Sequence, residues 1–151
     1  VTGVAGRKGF SSINIEKYRI HDECGAVRKM LEVLEEHGVN FEHIPSGIDN
    51  FSIVVETTSL GDETDDIVYD IKKVTSASSV TVENGIALIA VVGRSMKSTR
   101  GVAGTIFSSL AKENINIKMI DQGSNEINIV IAVAERDYER TINTIYSAFV
   151  K

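Results

Sequence analysis

Two polar loops hold the residues best suited to chemistry: RIHDECGAV in the first half of the chain and RSMKSTRGVAG in the second. Each loop leads into a predicted helix. Asp22 is the predicted N-cap of the first helix, with Gly25 inside its first turn, and Ser98 or Thr99 is the predicted cap of the second. The N–H groups and the dipole at a helix N-terminus attract a carboxylate, and glycine lets a ligand approach the backbone. Ordinary capping accounts for these residues equally well.

A carboxylate bound at the first helix would belong to a molecule whose other groups need partners of their own. Acidic and amide side chains nearby in the sequence would suit an ammonium group, and this combination favours a free amino acid as the ligand. The backbone amides concerned are those of Gly25, Ala26 and Val27, and the available partners are Asp22, Asn40, Glu42, Ser46 and Asp49.

The chain has no sequence motif of an enzyme. It contains no Walker-type phosphate loop, no metal-ligand spacing and no nucleophile elbow with a Ser/His/Asp set. Arg7 and Arg100 lie in glycine-flanked loops, but an acylphosphatase, which needs such an arginine on a phosphate-cradling loop, is disfavoured. The GRKG stretch around Arg7 is interpreted as a hairpin turn. We therefore expect no catalytic residue, no metal and no cofactor in this chain.

The composition narrows the class of protein further. The 151 residues carry a net charge of -5 and include one cysteine, Cys24. Negative charge argues against nucleic acid, and no apolar run reaches the roughly 18 residues that span a bilayer. The first residues, VTGVAGRKGF, lack the apolar core of a signal peptide. A lone cysteine excludes an internal disulfide framework and fits a reducing compartment. These features predict a cytoplasmic protein without nucleic-acid or membrane partners.

An internal repeat organises the chain. A shift of 76 positions aligns the first half on the second without a gap, and it superimposes both glycines and apolar positions. One matched pair would mean little, but a single register of this kind predicts a duplication. The matched pairs include Gly25 with Gly101, Leu34 with Leu110, Asn40 with Asn116, Gly47 with Gly123, and Ile53 with Ile129.

The first copy has the order of elements of a ferredoxin-like fold. FSSINIEKY alternates with period two and predicts a strand, whereas GAVRKMLEVLEEHG has apolar residues at helical spacing. VNFEHI and NFSIVVE predict the strands of a hairpin, DETDDIVYDIKKVT a second helix and SSVTVE a last strand. The order βαββαβ is typical of an α+β fold in which two helices cover one face of an antiparallel sheet.

The second copy lacks its last strand, and the chain starts with a strand that the first copy does not need. IALIAVVG, GVAGTIFSSLAKEN, a hairpin with DQGSN as its turn, and RDYERTINTIYSAFV predict the order βαββα. We therefore expect residues 1–5 to cross over and complete the second sheet, which would otherwise keep an unprotected edge. The predicted domains are 7–82, and 83–151 with the N-terminal strand 1–6, interlocked without a linker.

The second copy resembles the second ACT domain of aspartokinases. Its stretches VVGRSMKSTRGVAGTIFSSL and INIKMIDQGSNEINI are similar to that family's V-G…M…G-V-A-G-x-I-F-x-x-L opening and I-N-I-x-M-I-x-Q-G-S-x-E-I-N-I hairpin. The first copy, from FSSINIEKYRI to GAVRKMLEVLEEHGVNFEHIPSGIDNFSIVV, is similar to the first ACT domain of the same enzymes. The resemblance covers almost the whole chain. It implies the C-terminal regulatory region, with two interlocked ACT domains and without the kinase domain.

The resemblance also implies a function. Aspartokinase phosphorylates L-aspartate with ATP, and its tandem ACT domains bind end-product amino acids, usually lysine or threonine, and inhibit the kinase domain. ATP and magnesium are implied only for that domain, a partner within the parent chain. ACT pairs of this family also form dimers, commonly with effector sites at interfaces. Carried over by position, the implied effector site comprises Asp22, Gly25, Ala26, Val27, Asn40, Phe41 and Ser46, completed by Asn116 and Ile117.

Two hypotheses remain open for the chain itself. In the first, it senses lysine, threonine or both, in feedback inhibition of the pathway to lysine, threonine and methionine. In the second, it is a structural module that dimerises the enzyme and binds no effector. Stabilisation by an L-amino acid but not by its D-enantiomer would favour the first hypothesis, and unchanged stability in all amino acids would favour the second.

Overall fold

The computed structural model describes residues 3–123 and 127–150, and it has the α+β architecture predicted from the sequence. No helix in these ranges is long and apolar enough to cross a membrane. The strands are β1 (Gly3–Glu16), β2 (Asn50–Glu56), β3 (Ser79–Val92), β4 (Met119–Asp121) and β5 (Asn128–Ala134). The α-helices are α1 (Ala26–Glu36), α2 (Thr57–Leu60), α3 (Thr64–Thr75), α4 (Val102–Lys112) and α5 (Tyr138–Phe149), and 3₁₀ turns cover Ile20–Asp22, Arg94–Lys97 and Glu135–Asp137.

The elements divide between two compact units. The first unit is Gly9–Asn84, and the second joins Val1–Lys8 to Gly85–Lys151. The strand order is β2-β1-β3-β5-β4, with β1 antiparallel to β2, and β5 antiparallel to both β3 and β4. The boundaries between the units fall within β1 and within β3.

In the first unit, α1 and α3 pack on one face of the strands. Leu34 of α1 and Ile71 of α3 are almost wholly removed from solvent, as the helical spacing of apolar residues predicts. Thr75, at the end of α3, is also buried, and its hydroxyl donates to the carbonyl of Ile71 at 2.7 Å. The strands contribute Ile13, Ile15, Phe51, Ile53 and Val55 to this core.

In the second unit, α4 and α5 form the equivalent layer. The first residues of β1 belong to this unit: Val4 packs on its core, and the hydroxyl of Tyr138 donates to the carbonyl of Gly6 at 2.8 Å. A Cβ atom at Gly6 would lie 2.8 Å from the carbonyl oxygen of Leu88, so only glycine fits there without a shift. The buried residues at the centre of this core are Ile89, Val91, Ile106, Leu110, Ile129, Ile131 and Ile145.

The strands β1 and β3 are longer than the sequence pattern predicted. The GRKG stretch, interpreted as a hairpin turn, lies inside β1, which is a single strand of 14 residues. β3 also has 14 residues and joins the two predicted strands SSVTVE and IALIAVVG. Gly9 and Gly85 lie inside these strands at φ 90° and 73°, a left-handed backbone that glycine adopts at little cost. Such a residue can bend a strand without ending it, so the turn prediction was wrong.

The repeat is not gapless, because the second copy has two more residues in its hairpin. Ile13 pairs with Ile53, 40 positions later, whereas Ile89 pairs with Ile131, 42 positions later. The shift of 76 therefore holds up to the first hairpin strand and becomes 78 in β5, whose burial pattern matches that of β2. The match of Ile53 with Ile129 was wrong. The added length lies between β4 and β5, where the predicted turn DQGSN extends outside the described residues.

The first strand of each hairpin is shorter than predicted. VNFEHI is not a continuous strand, and His43 forms only an isolated bridge with Val54. The N–H of Glu42 donates to the carbonyl of Val54, and the N–H of Val54 donates to the carbonyl of His43, both at 2.8 Å. Two residues thus oppose one, as in a β-bulge, and Pro45 then has no N–H to extend the ladder. In the second unit the strand is confined to Met119–Asp121.

Candidate functional site

Helix α1 begins at Gly25 rather than at Asp22. Gly25 is the N-cap, with a left-handed backbone of φ 83° and ψ 4°, and no side chain caps the helix. The prediction that Asp22 caps α1 was wrong. The residue directly before the helix has a left-handed backbone and carries no side chain, so no capping side chain is present at that position. The N–H of Ala26 makes a long hydrogen bond of 3.4 Å to the carbonyl of Glu23. The first-turn amides of α1 therefore have no side-chain cap, and the amide of Ala26 is held only by this long backbone bond.

Asp22 lies in the loop immediately before this helix start. It ends the 3₁₀ turn Ile20–Asp22, which is anchored by Ile20, a residue with no exposed surface. Its Oδ2 atom accepts a hydrogen bond from Nε of Arg19 at 2.7 Å. Both side chains are more than half exposed, so the pair contributes only about 0.2–1 kcal/mol to stability. A charged ligand can therefore exchange partners with this pair at small cost.

The hairpin loop is fastened to the loop before α1. The N–H of Lys17 donates to the carbonyl of Asp49 at 3.0 Å, and the N–H of His21 donates to the carbonyl just before Asp49 at 3.1 Å. The N–H of Arg19 donates to Oδ1 of Asp49 at 2.8 Å. Arg19 has φ 56°, which is uncommon for a residue with a side chain, and Asp49 holds it there. These bonds place the hairpin loop that contains Ser46 on the side of the unit where α1 begins.

Charges of both signs surround the start of α1. Lys17 pairs with Glu23, and Lys17 also donates from Nζ to the carbonyl of Thr75 at 2.9 Å. Arg19 pairs with Asp22 in the same loop. Because this surface presents two ion pairs, each with one acidic and one basic side chain, beside the helix amides, it suits a zwitterion better than a simple anion.

Two pairs of predicted site residues lie at the other ends of their helices. Asn40 and Phe41 follow the C-terminus of α1, whose 11 residues span about 16 Å, so α1 itself separates them from Gly25. Asn116 and Ile117 have the same place after α4. The sequence grouped these residues with the amides at the start of α1, but within one copy they lie apart from those amides, because a strand that directly follows a helix starts where the helix ends. Phe41 is 47% exposed, and Ile117 packs on the core of its unit.

The second unit repeats the helix start around Gly101. Gly101 is the N-cap of α4 at φ 86° and ψ 2°, and no side chain caps this helix. The prediction that Ser98 or Thr99 caps α4 was therefore wrong. The hydroxyl of Ser98 instead donates to the carbonyl of Ser95 at 3.2 Å.

A cavity of about 220 Å³ opens at this second helix start. Its wall includes the first residues of α4 and one residue of the next hairpin, which are the counterparts of residues 25–27 and of Ser46 at the shift of 76. Four residues of the site predicted from the sequence, residues 25–27 and Ser46, thus have counterparts in the second copy that line one cavity. Sequence reasoning missed this cavity, although the repeat pointed to it. Its lining residues are Met96, Lys97, Thr99, Arg100, Gly101, Val102, Ala103 and Gln122.

Comparison with known proteins relates this chain to a family. An ACT-domain model matches residues 89–149. Aspartokinase 3 of Bacillus subtilis (strain 168) is 36% identical over 150 residues, which are 99% of this chain and 33% of that protein. Clostridium acetobutylicum aspartate kinase, described as an allosteric enzyme, superposes with a TM-score of 0.95 and 46% identity over 99% of this chain and 35% of that one. The chain is a regulatory region of the aspartokinase type.

The ACT pair spans about a third of the length of the aspartokinases that it matches. Escherichia coli aspartokinase III, solved in complex with lysine and aspartate, superposes with a TM-score of 0.76 over 99% of this chain and 33% of that one. Its identity of 22% makes this a likeness of fold alone. In fold and family, the prediction from the sequence is confirmed.

Proposed function

We propose that this ACT pair is the amino-acid sensor of an aspartokinase, which binds free L-lysine, L-threonine or both and inhibits the phosphorylation of aspartate by the kinase domain of the parent chain. This feedback would operate in the cytoplasm on the biosynthesis of lysine, threonine and methionine. The observation that carries the proposal is the start of α1, where a glycine N-cap leaves the first-turn amides without a side-chain cap. Escherichia coli aspartokinase III, which has this fold, was solved with lysine bound.

The proposed ligand contacts follow from the chemistry of the helix start. The α-carboxylate of the effector accepts hydrogen bonds from the N–H groups of Ala26 and Val27, where the helix dipole favours negative charge. Gly25 carries no Cβ and so allows the carboxylate to approach. The α-ammonium group binds the carboxylate of Asp22 and the hydroxyl of Ser46, both of which are exposed on the loops that flank the helix start.

In this proposal, the ACT pair functions as a homodimer. Asn40 and Phe41, at the far end of α1 from Gly25, meet the effector from a second copy of the chain, as do Asn116 and Ile117. Phe41 is 47% exposed, a large apolar surface that a dimer would cover. Assembly through the hairpins would thus complete the effector site.

The proposed inhibition is a shift of population. An effector that binds one packing of the dimer more tightly favours that packing, which is coupled to a less active kinase domain. The effector inhibits only by as much as its affinities for the two states differ. ATP and magnesium would act in the kinase domain and have no site in the ACT pair.

Thermal unfolding and calorimetric titration with L-lysine, L-threonine and L-methionine test this proposal. An effector at about 100 times its Kd would stabilise the chain by about 2.7 kcal/mol, and the D-enantiomer would not. Asp22→Asn should weaken binding. Glu35→Gln is the control, because Glu35 is an exposed carboxylate of the same helix but lies in its last turn, away from the helix start. No heat and no stabilisation with any of the three amino acids would rule out sensing by this chain.

A matched pair of variants identifies which helix start binds the effector. Ser46→Ala removes a hydroxyl beside α1, and Gln122→Ala removes the counterpart beside α4, at the cavity of about 220 Å³. Our proposal expects weaker binding for Ser46→Ala alone. Weaker binding for Gln122→Ala alone would move the site to the second unit.

A purely structural module is the second candidate function. It is favoured by the exposed apolar side chains of the hairpins: Phe41, Ile48 and Ile120 are 47%, 73% and 53% exposed. This candidate expects a dimer in analytical ultracentrifugation whose melting temperature is the same in all amino acids. Stabilisation by a single L-amino acid would exclude it.

A further inference from the structure

His37 links the two helices of the first unit. It is the C-cap residue of α1, and its side chain is 13% exposed. Its Nε2 atom lies 2.9 Å from Oδ2 of Asp70, and its Nδ1 atom lies 3.2 Å from Oε1 of Glu63. Both carboxylates belong to α3, since Glu63 is the N-cap residue of that helix and Asp70 lies in its middle.

This geometry requires a protonated imidazole. A neutral imidazole has one N–H donor, whereas an ionised carboxylate only accepts hydrogen bonds. His37 can therefore donate to both carboxylates only in its imidazolium form. The position at the C-terminus of α1 adds to this preference, because the helix dipole is negative there.

The surrounding charges agree with the geometry. The hydrogen bond to Asp70 raises the pKa of His37 most strongly, Glu63 raises it further, and partial burial opposes both. The other carboxylates adjacent in sequence are Glu36, its neighbour on α1, and Asp66, one turn after Glu63 on α3, and neither is among the groups that shift the pKa of His37. Lys73, one turn after Asp70, is a nearby cation on α3.

In the second unit, the two helices are linked by an arginine side chain, which does not titrate near neutral pH. The residue at the end of α4 that corresponds to His37 is Glu113, and Asp137 caps α5 as Glu63 caps α3. Here Nη2 of Arg140 donates to the carbonyl of Glu113 at 2.6 Å, and Nη1 of Arg140 lies 3.7 Å from Asp137. A guanidinium stays charged over the whole physiological range.

We propose that His37 is a proton-operated clamp: in its charged form it fastens α1 to α3, and loss of the proton loosens the helix layer of the first unit alone. Deprotonation removes one of the two N–H donors and leaves a carboxylate without its partner. The second unit, fastened by Arg140, keeps its helix packing over the same pH range. The chain thus carries one pH-sensitive and one pH-insensitive unit, and this inference does not depend on the proposed effector.

The direction of the pH effect follows from linkage. Because the folded-state pKa of His37 is raised above its ordinary value of 6.5, its contribution to stability is fully present below pH 6.5. That contribution is lost as the pH rises through the folded-state pKa. For each pH unit that separates the folded from the unfolded pKa, the folding equilibrium of the first unit changes by about tenfold.

NMR titration of the chain from pH 5.5 to about pH 9 is the direct test. We expect the imidazole resonances of His37 to titrate with a midpoint above 6.5. Amide exchange, corrected for its intrinsic pH dependence, should accelerate in α1 and α3 across that midpoint and stay constant in α4 and α5. A midpoint at or below 6.5, or equal acceleration in all four helices, would overturn the proposal.

Three variants separate the clamp from general effects of pH. His37→Gln cannot be protonated, so the pH dependence of exchange in α1 and α3 should disappear. Asp70→Asn keeps the shape but removes the charge, so the midpoint of His37 should fall. His21→Gln removes an exposed histidine of the same unit and should behave like the unchanged chain. A His37→Gln protein that kept the full pH dependence would contradict the clamp.

Discussion

Gly25 and Gly101, 76 positions apart, begin α1 and α4 with almost the same left-handed backbone, at φ 83° and ψ 4° and at φ 86° and ψ 2°. A Cβ atom would have ample space at both positions, since at Gly25 it would meet only Arg28 at 3.9 Å and at Gly101 nothing within 4 Å. The glycines are therefore required by backbone conformation and not by crowding. Each also leaves the amides of the helix start without a side-chain cap.

Gly25→Ala and Gly101→Ala should each destabilise the chain by about 1–2 kcal/mol, because a side chain is strained in the left-handed region. Urea unfolding of the two variants measures this loss. The two values should agree closely, since the local geometry is the same. Asn in place of either glycine should cost less than Ala, because Asn tolerates this backbone better. A loss well below about 0.5 kcal/mol for Ala would mean that the helix start relaxes to another conformation.

Gly6 and Gly3 provide a test of the N-terminal part of β1. A Cβ at Gly6 would lie 2.8 Å from the Leu88 carbonyl oxygen and 2.9 Å from the ring of Tyr138, whereas at Gly3 nothing lies within 4 Å. Gly6→Ala should therefore cost about 1–3 kcal/mol by overpacking, and Gly3→Ala should be close to neutral. Unfolding followed by tyrosine fluorescence would report the change. Equal effects of the two variants would contradict the close packing of β1 in the second unit.

The helix cores of the two units should respond alike to truncation. Ile71 of α3 and Ile145 of α5 are both fully buried. Ile71→Ala and Ile145→Ala should each cost about 2–5 kcal/mol, from lost burial and the cavity left behind. Val74, which is 41% exposed, supplies the control, and Val74→Ala should change stability little. Circular dichroism during thermal unfolding gives the comparison, and a neutral Ile71→Ala would mean that this core is not closely packed.

Helical periodicity was the most reliable signal in the sequence. Leu34 and Leu110 occur at matching positions of two amphipathic patterns, and each is buried in its unit. If either leucine lay on the opposite face of its helix, it would be exposed to solvent. The apolar pattern of the sequence and the observed burial therefore agree. The α+β fold could therefore be predicted from spacing alone.

The hairpin register could not be predicted in the same way. Side chains alternate across a strand with a period of two, so a shift of two residues keeps every side chain on its face. The apolar pattern of the second hairpin strand therefore fits both a shift of 76 and a shift of 78. Only the pairing of Ile89 with Ile131 distinguishes them.

The helix starts were mispredicted for a different physical reason. Asp22 is a good N-cap residue type, and a glycine is more typical of a helix C-terminus. The burial of Ile20 fixes the preceding 3₁₀ turn, and the chain then needs a left-handed residue to enter α1. Such a tertiary constraint leaves no trace in local propensity. The way in which the chain enters α1 also determines where the first-turn amides, which are the proposed ligand contacts, lie.

Asp49 should control the loop before α1, since its Oδ1 accepts the N–H of Arg19 at 2.8 Å and holds that residue at φ 56°. Asp49→Ala should destabilise the chain by about 1–2 kcal/mol, because it removes a charged hydrogen bond and relaxation of the strained backbone at Arg19 offsets only part of that loss. Asp49→Asn keeps an acceptor oxygen and should restore most of this loss. Asp62→Ala removes an exposed carboxylate from another loop and is the control in urea unfolding.

The same variants also connect the loop to the proposed effector site. If the loop before α1 orders the ligand groups, Asp49→Ala should weaken binding of the L-amino acid in calorimetry, because the ordering must then occur on binding. Asp49→Asn should bind nearly as well as the unchanged chain, and Asp62→Ala should bind equally well. Unchanged affinity in Asp49→Ala, at a measured loss of stability, would separate the loop from the site and leave Asp49 with a purely structural function.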